Sequence, residues 1–366
     1  MTTLIDPIKI GDLELPNRIA MAPLTRARAG EDDVPTELNA TYYTQRAGHG
    51  LIVTEATDVA PNSRAFERAP GIWSDAQVIG WRRVVDDVHA AGGRIFLQLW
   101  HCGRVGSAGI LGGEMPISPS GYNEDLGKLS VWGLLANGRY VQIAATPSRA
   151  MTTAEVRDTI CAYRKAAENA LRAGFDGVEI HAANGYLPHQ FLSPVVNTRE
   201  DQYGGTIANR ARFLSEIIDE VSQVFPASRI GARLSPFTTY NNPQESDTEA
   251  IYSHVTTMLN EYGIGYLHIA DMNGWFGKPD LPRILKIVRP RFDGAIIANG
   301  GISVEQGNHL LRDGIVQMIS FGRLALANPD LANRIRHGLP LAEARPTGWY
   351  SGNEVGYTDY PGVDAR

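Results

Sequence analysis

The stretch VEIHAANGYLPHQF (178–191) begins like a buried strand, then places three hydrogen-bonding side chains, His181, Asn184 and Tyr186, where the apolar run stops. Side chains on a strand alternate in direction, so Val178 and Ile180 oppose Glu179 and His181. The same rule in RIFLQLW (94–100) sets Gln98 with Phe96 and Trp100, away from Ile95, Leu97 and Leu99. In RIGARLS (229–235) it sets Arg233 and Ser235 against Ile230, Ala232 and Leu234, with Arg233 pointing into the protein. An amide or charge buried there without a partner would cost several kcal/mol, so these groups either satisfy one another or meet something bound. A structural polar network accounts for each singly. Taken together, Thr25, Gln98, His181, Arg233 and Arg323 at the ends of apolar runs point to a ligand-binding rim.

Two further segments, ANGG (298–301) and SFGR (320–323), suit an anion. Glycine lets backbone N–H groups come close to a phosphate, and a fixed guanidinium such as Arg323 can contact it bidentately. Turn-forming glycine with no ligand is the plain alternative, and the position of Arg323 argues against it. The expectation is a phosphorylated molecule held at one side, with Gln98 and Arg233 reaching its polar body.

The elements that must position these groups are eight short aliphatic runs: 18–24, 50–56, 94–100, 174–182, 229–235, 265–271, 294–300 and 317–322. Segments of helical spacing lie between them. Val78, Trp81, Val84, Val85 and Val88 share one face, and Thr152 with Glu155 forms a capping-box pattern. Eight such strands alternating with helices predict an α/β fold, a single (β/α)8 TIM barrel over residues 1–366. A doubly wound open sheet is the alternative, but no strand-to-helix turn carries a G-x-G-x-x-G fingerprint. One connection breaks the rhythm, from Cys102 to Met151, and Asn137-Gly138 between strand-like arms marks a hairpin there. The excursion 102–151 is therefore read as a β-hairpin lid inserted after strand 3. The tail PTGWYSGNEVGYTDYPGVDAR is expected across the same mouth or along the barrel wall.

A net charge of −6 leaves no basic surplus for nucleic acid or an anionic membrane, which favours a small-molecule partner. No apolar run reaches the roughly 18–20 residues of a membrane span, and the first residues show no signal pattern, so the cytoplasm is the expected compartment. Cys102 and Cys161 are too few for a cysteine-ligated cluster. His89, His189, His268 and His309 read as structural histidines, and no metal site is expected.

Beyond these readings, APLTR (22–26), FLQLWHCGR (96–104), HAANGYLPHQFLSPVVNTREDQYGG (181–205), SFGR and the terminal GYTDYP resemble the old yellow enzyme family of flavoprotein ene-reductases, nearly end to end. The block 181–205 is the specific part; SFGR alone is weak. The resemblance implies one non-covalent FMN, reduced by NADPH or NADH and reoxidised by an activated alkene. It assigns Pro23, Thr25, Ala56, Gln98, Arg233, Asn299, Gly300, Gly301, Gly322 and Arg323 to the flavin, the last four toward its phosphate. His181 and Asn184 would donate to a carbonyl or nitro oxygen, and Tyr186 would protonate the substrate's α-carbon. Trp100, Trp275 and Tyr350 would line the substrate cleft, with Phe66 where many relatives carry tyrosine. The substrates implied are enones, enals, maleimides or nitroalkenes, with the enzyme a monomer or homodimer. Nitroester or nitroaromatic reduction on the same site is an alternative. Another is a flavin-free lyase or isomerase that binds a sugar phosphate, whose strand-terminal lysine or paired carboxylates the sequence lacks. A dienoyl-CoA reductase or amine dehydrogenase would bring further domains and more cysteines.

Overall fold

Short runs with both faces apolar cannot sit at a solvated sheet edge, and the chain resolves this by closing the sheet on itself. The computed structural model describes residues 2–363, so positions 1 and 364–366 of the expected span lie outside the described residues. The eight barrel strands are Ile19–Met21, Leu51–Val53, Ile95–Trp100, Gly177–His181, Ile230–Leu234, Tyr266–Ala270, Ala295–Asn299 and Met318–Phe321. All pair in parallel in chain order, and the eighth returns to the first through Ile319 opposite Ile19. Each falls within the run the sequence marks.

The alternation of side chains holds. Ile95, Leu97, Leu99, Val178, Ile180, Ile230 and Leu234 belong to the core shared with the outer helices. Phe96, Tyr266, Ile297 and Met318 fill the barrel interior together with Ile10, Leu13 and Leu15. These last three come from a hairpin, Ile8–Ile10 with Leu13–Leu15, that the sequence reading leaves out and that stops the amino-terminal end of the barrel. Its turn needs the left-handed Gly11, φ +58°, where a Cβ would stand 2.6 Å from Ser228 Cβ.

Outside the barrel, Asp75–Ala90 lays Val78, Trp81, Val84, Val85 and Val88 onto the sheet, all buried. Thr153–Ala173 starts at the expected capping box and stops at Gly174 in the left-handed region. Within the excursion, Val131–Leu134 pairs antiparallel with Tyr140–Ile143, the hairpin expected around Asn137-Gly138. Trp132 on this hairpin packs 6.3 Å from Phe66 and 5.0 Å from Tyr350, centroid to centroid.

The tail is tied to the loop after the first strand. Arg26 donates to the carbonyls of Trp349 and Gly356, and Arg28 to those of Gly348, Asn353 and Val355. Tyr357 stacks 4.0 Å from Tyr42, with both guanidinium groups close to its ring.

Candidate active site

The carboxyl ends of the strands surround a cavity of about 830 Å³. Pro23 and Thr25 enter it from the first strand's loop, Ala56 and Phe66 from the second's, and Gln98 from the third strand. His181 ends the fourth with Asn184 and Tyr186 just after it, Arg233 lies at the end of the fifth, and Trp275 follows the sixth. Asn299, Gly300 and Gly301 close the seventh, Gly322 and Arg323 the eighth, and Tyr350 comes from the tail. A polar cavity of about 480 Å³ at the other end lies among the ion pairs Asp12–Arg229 and His89–Asp176 and shares none of these residues.

A chain of hydrogen bonds runs beneath the site. Gln98 Nε2 donates to Glu179 Oε1 at 2.7 Å, and His268 Nδ1 lies 2.8 Å from Glu179 Oε2. Arg233 Nη1 reaches His268 Nε2 at 2.6 Å, and Arg233 Nη2 donates to Asn299 Oδ1 at 3.0 Å. Burial and the Arg233 charge push His268 down to about 4, so its ring is neutral at pH 7. Burial works against the Glu179 carboxylate, yet His268, Arg233 and Gln98 outweigh it and hold the group below its usual range. Arg233 itself is lowered to about 10 by burial and stays charged.

The turn after the fourth strand aims Asn184 and Tyr186 alongside His181 at the strand's end. Asn184 and Gly185 both take positive φ, +59° and +75°. A Cβ on Gly185 would fall 2.7 Å from Asn241 Cβ, so only glycine fits. Every peptide group of this pair is gripped. Asn184 N donates to Ser235 Oγ at 2.7 Å and Asn184 O accepts from Asn241 at 3.0 Å. Gly185 N donates to His189 Nδ1 at 3.0 Å and Gly185 O accepts from Gln190 at 2.8 Å. Holding an asparagine in the left-handed region takes this kind of surrounding constraint.

Two of the side chains so placed keep a buried atom unsatisfied within the protein. His181 Nδ1 and Asn184 Oδ1 are buried without a hydrogen-bond partner. Burial, and then the charge of Arg233, press the His181 imidazole well below its ordinary value, so it is neutral. Tyr186 packs edge-on against Trp100 and His181, each at 5.0 Å. Burial and its neighbour Tyr240 raise the phenol well above 10, so it keeps its proton.

The glycine loops suit a phosphate. Gly300 has φ +151°, where a Cβ would meet Asp271 Cβ at 2.8 Å, and Gly301 has φ +68°. Arg323 lies over the Trp275 ring at 4.9 Å, and among the described residues it meets no carboxylate in salt-bridge range. A cradle of backbone and an unpaired guanidinium at one end, and a polar floor of amide, imidazole and guanidinium at the other, fit a phosphorylated, nitrogen-rich disc such as FMN.

Comparison with known proteins decides the lineage. Residues 3–342 match the NADH:flavin oxidoreductase / NADH oxidase family. The chain belongs to this family. It is an FMN-dependent oxidoreductase served by a nicotinamide nucleotide. It is 39% identical over 367 residues to 12-oxophytodienoate reductase 1 of Oryza sativa subsp. japonica, a match covering 98% of this chain and 92% of that protein. Morphinone reductase in complex with tetrahydroNAD superposes with a TM-score of 0.94 at 42% identity, covering 100% of this chain and 98% of that one. The old yellow enzyme homologue from Zymomonas mobilis gives 0.91 at 39% identity, covering 98% and 99%.

The structure brings fifteen of the sixteen other sequence-marked positions to one cavity wall beside Thr25, and leaves one out. Trp100 is fully buried and stands behind Tyr186 and Phe66 as packing, away from the cleft it was expected to line. The phase rule explains this, since an inward residue at the very end of the strand is covered by the loops that follow. Trp275 lines the cavity, but beside Arg323 and Trp349, toward the phosphate end. Phe66 forms an apolar wall with Trp132 and Tyr350. Tyr240 escapes the sequence reading, and His268, expected as a structural histidine, is hydrogen-bonded into the floor beneath the site. His268 was legible, because YLHIA puts it in phase with the inward Tyr266.

Proposed function

We propose that this enzyme is an NAD(P)H-dependent ene-reductase acting on enones, enals, maleimides and nitroalkenes. One observation carries the reading: His181 and Asn184, each with a buried polar atom that no protein group satisfies, share a cavity with a protonated Tyr186. When bound, FMN supplies a hydride, taken from NADH or NADPH, to the alkene carbon β to an activating group. His181 and Asn184 donate to the carbonyl or nitro oxygen, where negative charge develops. A neutral imidazole and a carboxamide can both donate there, and losing one comparable donor costs about 2.7–4 kcal/mol of barrier. Tyr186 gives its proton to the α-carbon. Gln98 and Arg233 hold the polar edge of the flavin, Thr25, Pro23 and Ala56 its neighbouring edge, and Asn299, Gly300, Gly301, Gly322 and Arg323 the phosphate side. Phe66 and Tyr350 bound the substrate space, and Trp275 stacks with Arg323 toward the phosphate end.

The excursion 102–151 serves as a lid on a single barrel domain, a role supported by the contacts of Trp132 with Phe66 and Tyr350. No helix among the described residues is long and apolar enough to cross a membrane, and both cysteines are free, which fits a cytoplasmic enzyme. It works as a monomer or homodimer.

The test begins with the visible spectrum of the protein incubated with FMN, followed by anaerobic reduction with NADH and NADPH. Stopped-flow reoxidation by a panel of enones, maleimides, nitroalkenes and nitrate esters then ranks the acceptors. Rapid reoxidation by an enone or nitroalkene is expected. A colourless protein that refuses FMN would sink the reading, and reoxidation by nitrate esters alone would replace alkene reduction with nitroester reduction.

A further inference from the structure

Arg233 and Glu179 are opposite charges buried in the same floor, yet their contact is indirect. Glu179 is fully buried, with Gln98 Nε2 at 2.7 Å from Oε1 and His268 Nδ1 at 2.8 Å from Oε2. The guanidinium reaches the same imidazole, with Nη1 2.6 Å from Nε2 and 3.0 Å from Nδ1. An ionised carboxylate only accepts, so Nδ1 carries the ring proton toward Glu179 and, in a neutral ring, Nε2 is left to accept from the guanidinium. His268 is thereby a neutral bridge with both nitrogens committed.

Two consequences bear on whatever fills the cavity. The carboxylate takes the Gln98 amine, which leaves Gln98 Oε1 as the atom free to accept from a ligand N–H. The guanidinium is balanced at one remove, so its field toward the cavity is moderated but not cancelled as it would be in a direct bidentate pair. We propose that Glu179 and His268 are positioning residues that fix Arg233 and set how strongly it favours the reduced, negatively charged form of the flavin. This rests on the reading that FMN occupies the cavity, and it goes beyond that reading by assigning the tuning to two residues behind the wall.

The experiment measures the midpoint potential of bound FMN by equilibration with a reference dye in the full-length holoenzyme. Glu179→Gln is close in shape and keeps an acceptor for His268, but it removes the negative charge. Arg233 is then uncompensated, and the reduced form should gain roughly tenfold over the oxidised, an upward shift of about 30 mV for a two-electron couple. His268→Gln can still accept from Arg233 and donate to Glu179, so it should retain FMN as the parent does. His268→Leu can do neither and should weaken FMN retention by about tenfold. A folded, FMN-loaded Glu179→Gln protein with an unchanged or lowered potential overturns the proposal. So does equal loss of FMN affinity in both His268 variants, a readout that stands even if Glu179→Gln does not fold. Failure of the parent protein to bind FMN would be a different result, against the flavin reading itself.

Discussion

Replacing His189 by leucine asks whether the catalytic turn is held from behind. His189 takes the Gly185 amide at 3.0 Å on Nδ1, while its Nε2 lies 2.7 Å from Glu245 Oε1 and 2.9 Å from the Tyr252 hydroxyl. All of this is interior, with the Glu245 side chain 3% exposed. Leucine leaves the Gly185 N–H without an acceptor, at about 1–3 kcal/mol, and strands the Glu245 acid, typically about another 3–5 kcal/mol. The sum, about 4–8 kcal/mol, rivals the whole stability of an ordinary domain at about 5–15 kcal/mol. Adding Glu245→Leu removes the stranded acid, so the double variant should regain about 3–5 kcal/mol while the Gly185 amide stays unheld. Equilibrium unfolding in urea reads the stability, and titration of phenol into the holoenzyme, followed by flavin absorbance, reads the oxygen-binding pair. The double variant should fold yet bind phenol about tenfold more weakly, since about 1.4 kcal/mol of misplacement at Asn184 suffices for that. If it recovers both stability and phenol affinity, the reasoning fails, and Ser235, Asn241 and Gln190 set the turn without His189.

Tyr186→Phe keeps the ring against Trp100 and His181 but removes the proton. Stopped flow should show alkene reduction slowed about 10²–10⁴-fold with flavin reduction by NADH or NADPH largely intact, and equal slowing of both steps would count against Tyr186 as the acid. Arg323→Ala should weaken FMN binding about tenfold to a hundredfold by equilibrium dialysis, the worth of a charged hydrogen bond; unchanged affinity would move the phosphate elsewhere. His49 is fully buried, donates from Nδ1 to the Arg46 carbonyl, and is pushed by burial from 6.5 to about 4. The unfolded chain therefore takes up this proton first as pH falls, and stability drops between about pH 6.5 and 4 and is insensitive above that window. Against a His49→Asn variant, the parent should lose up to about 3 kcal/mol across it in urea titrations; parallel pH profiles would refute the assignment.

The barrel was legible because its strands are short and doubly apolar, so runs such as RIFLQLW could be placed and phased from residue types alone. The cavity floor was legible for the same reason, since Gln98, His181 and Arg233 stand out as polar residues on an inward phase. What escaped depends on partners far away in sequence. Nothing local to His189 announces Glu245, and nothing local to Tyr240 announces Tyr186. Trp100 shows the converse, where the phase was read correctly but the depth of cover by later loops was not. The amino-terminal hairpin was missed although IKIGDLEL alternates around a glycine turn, because a three-residue strand gives periodicity too little length to register.

The grip of Arg26 and Arg28 on the carbonyls of residues 348–356 has a consequence for biosynthesis. A nascent chain that has emitted all eight strands still lacks Tyr350, and the loop carrying Thr25 waits with two buried cations unsatisfied. Cofactor capture on the ribosome would therefore meet a vessel open on one side, and firm retention should begin only once residues 348–356 have emerged and docked.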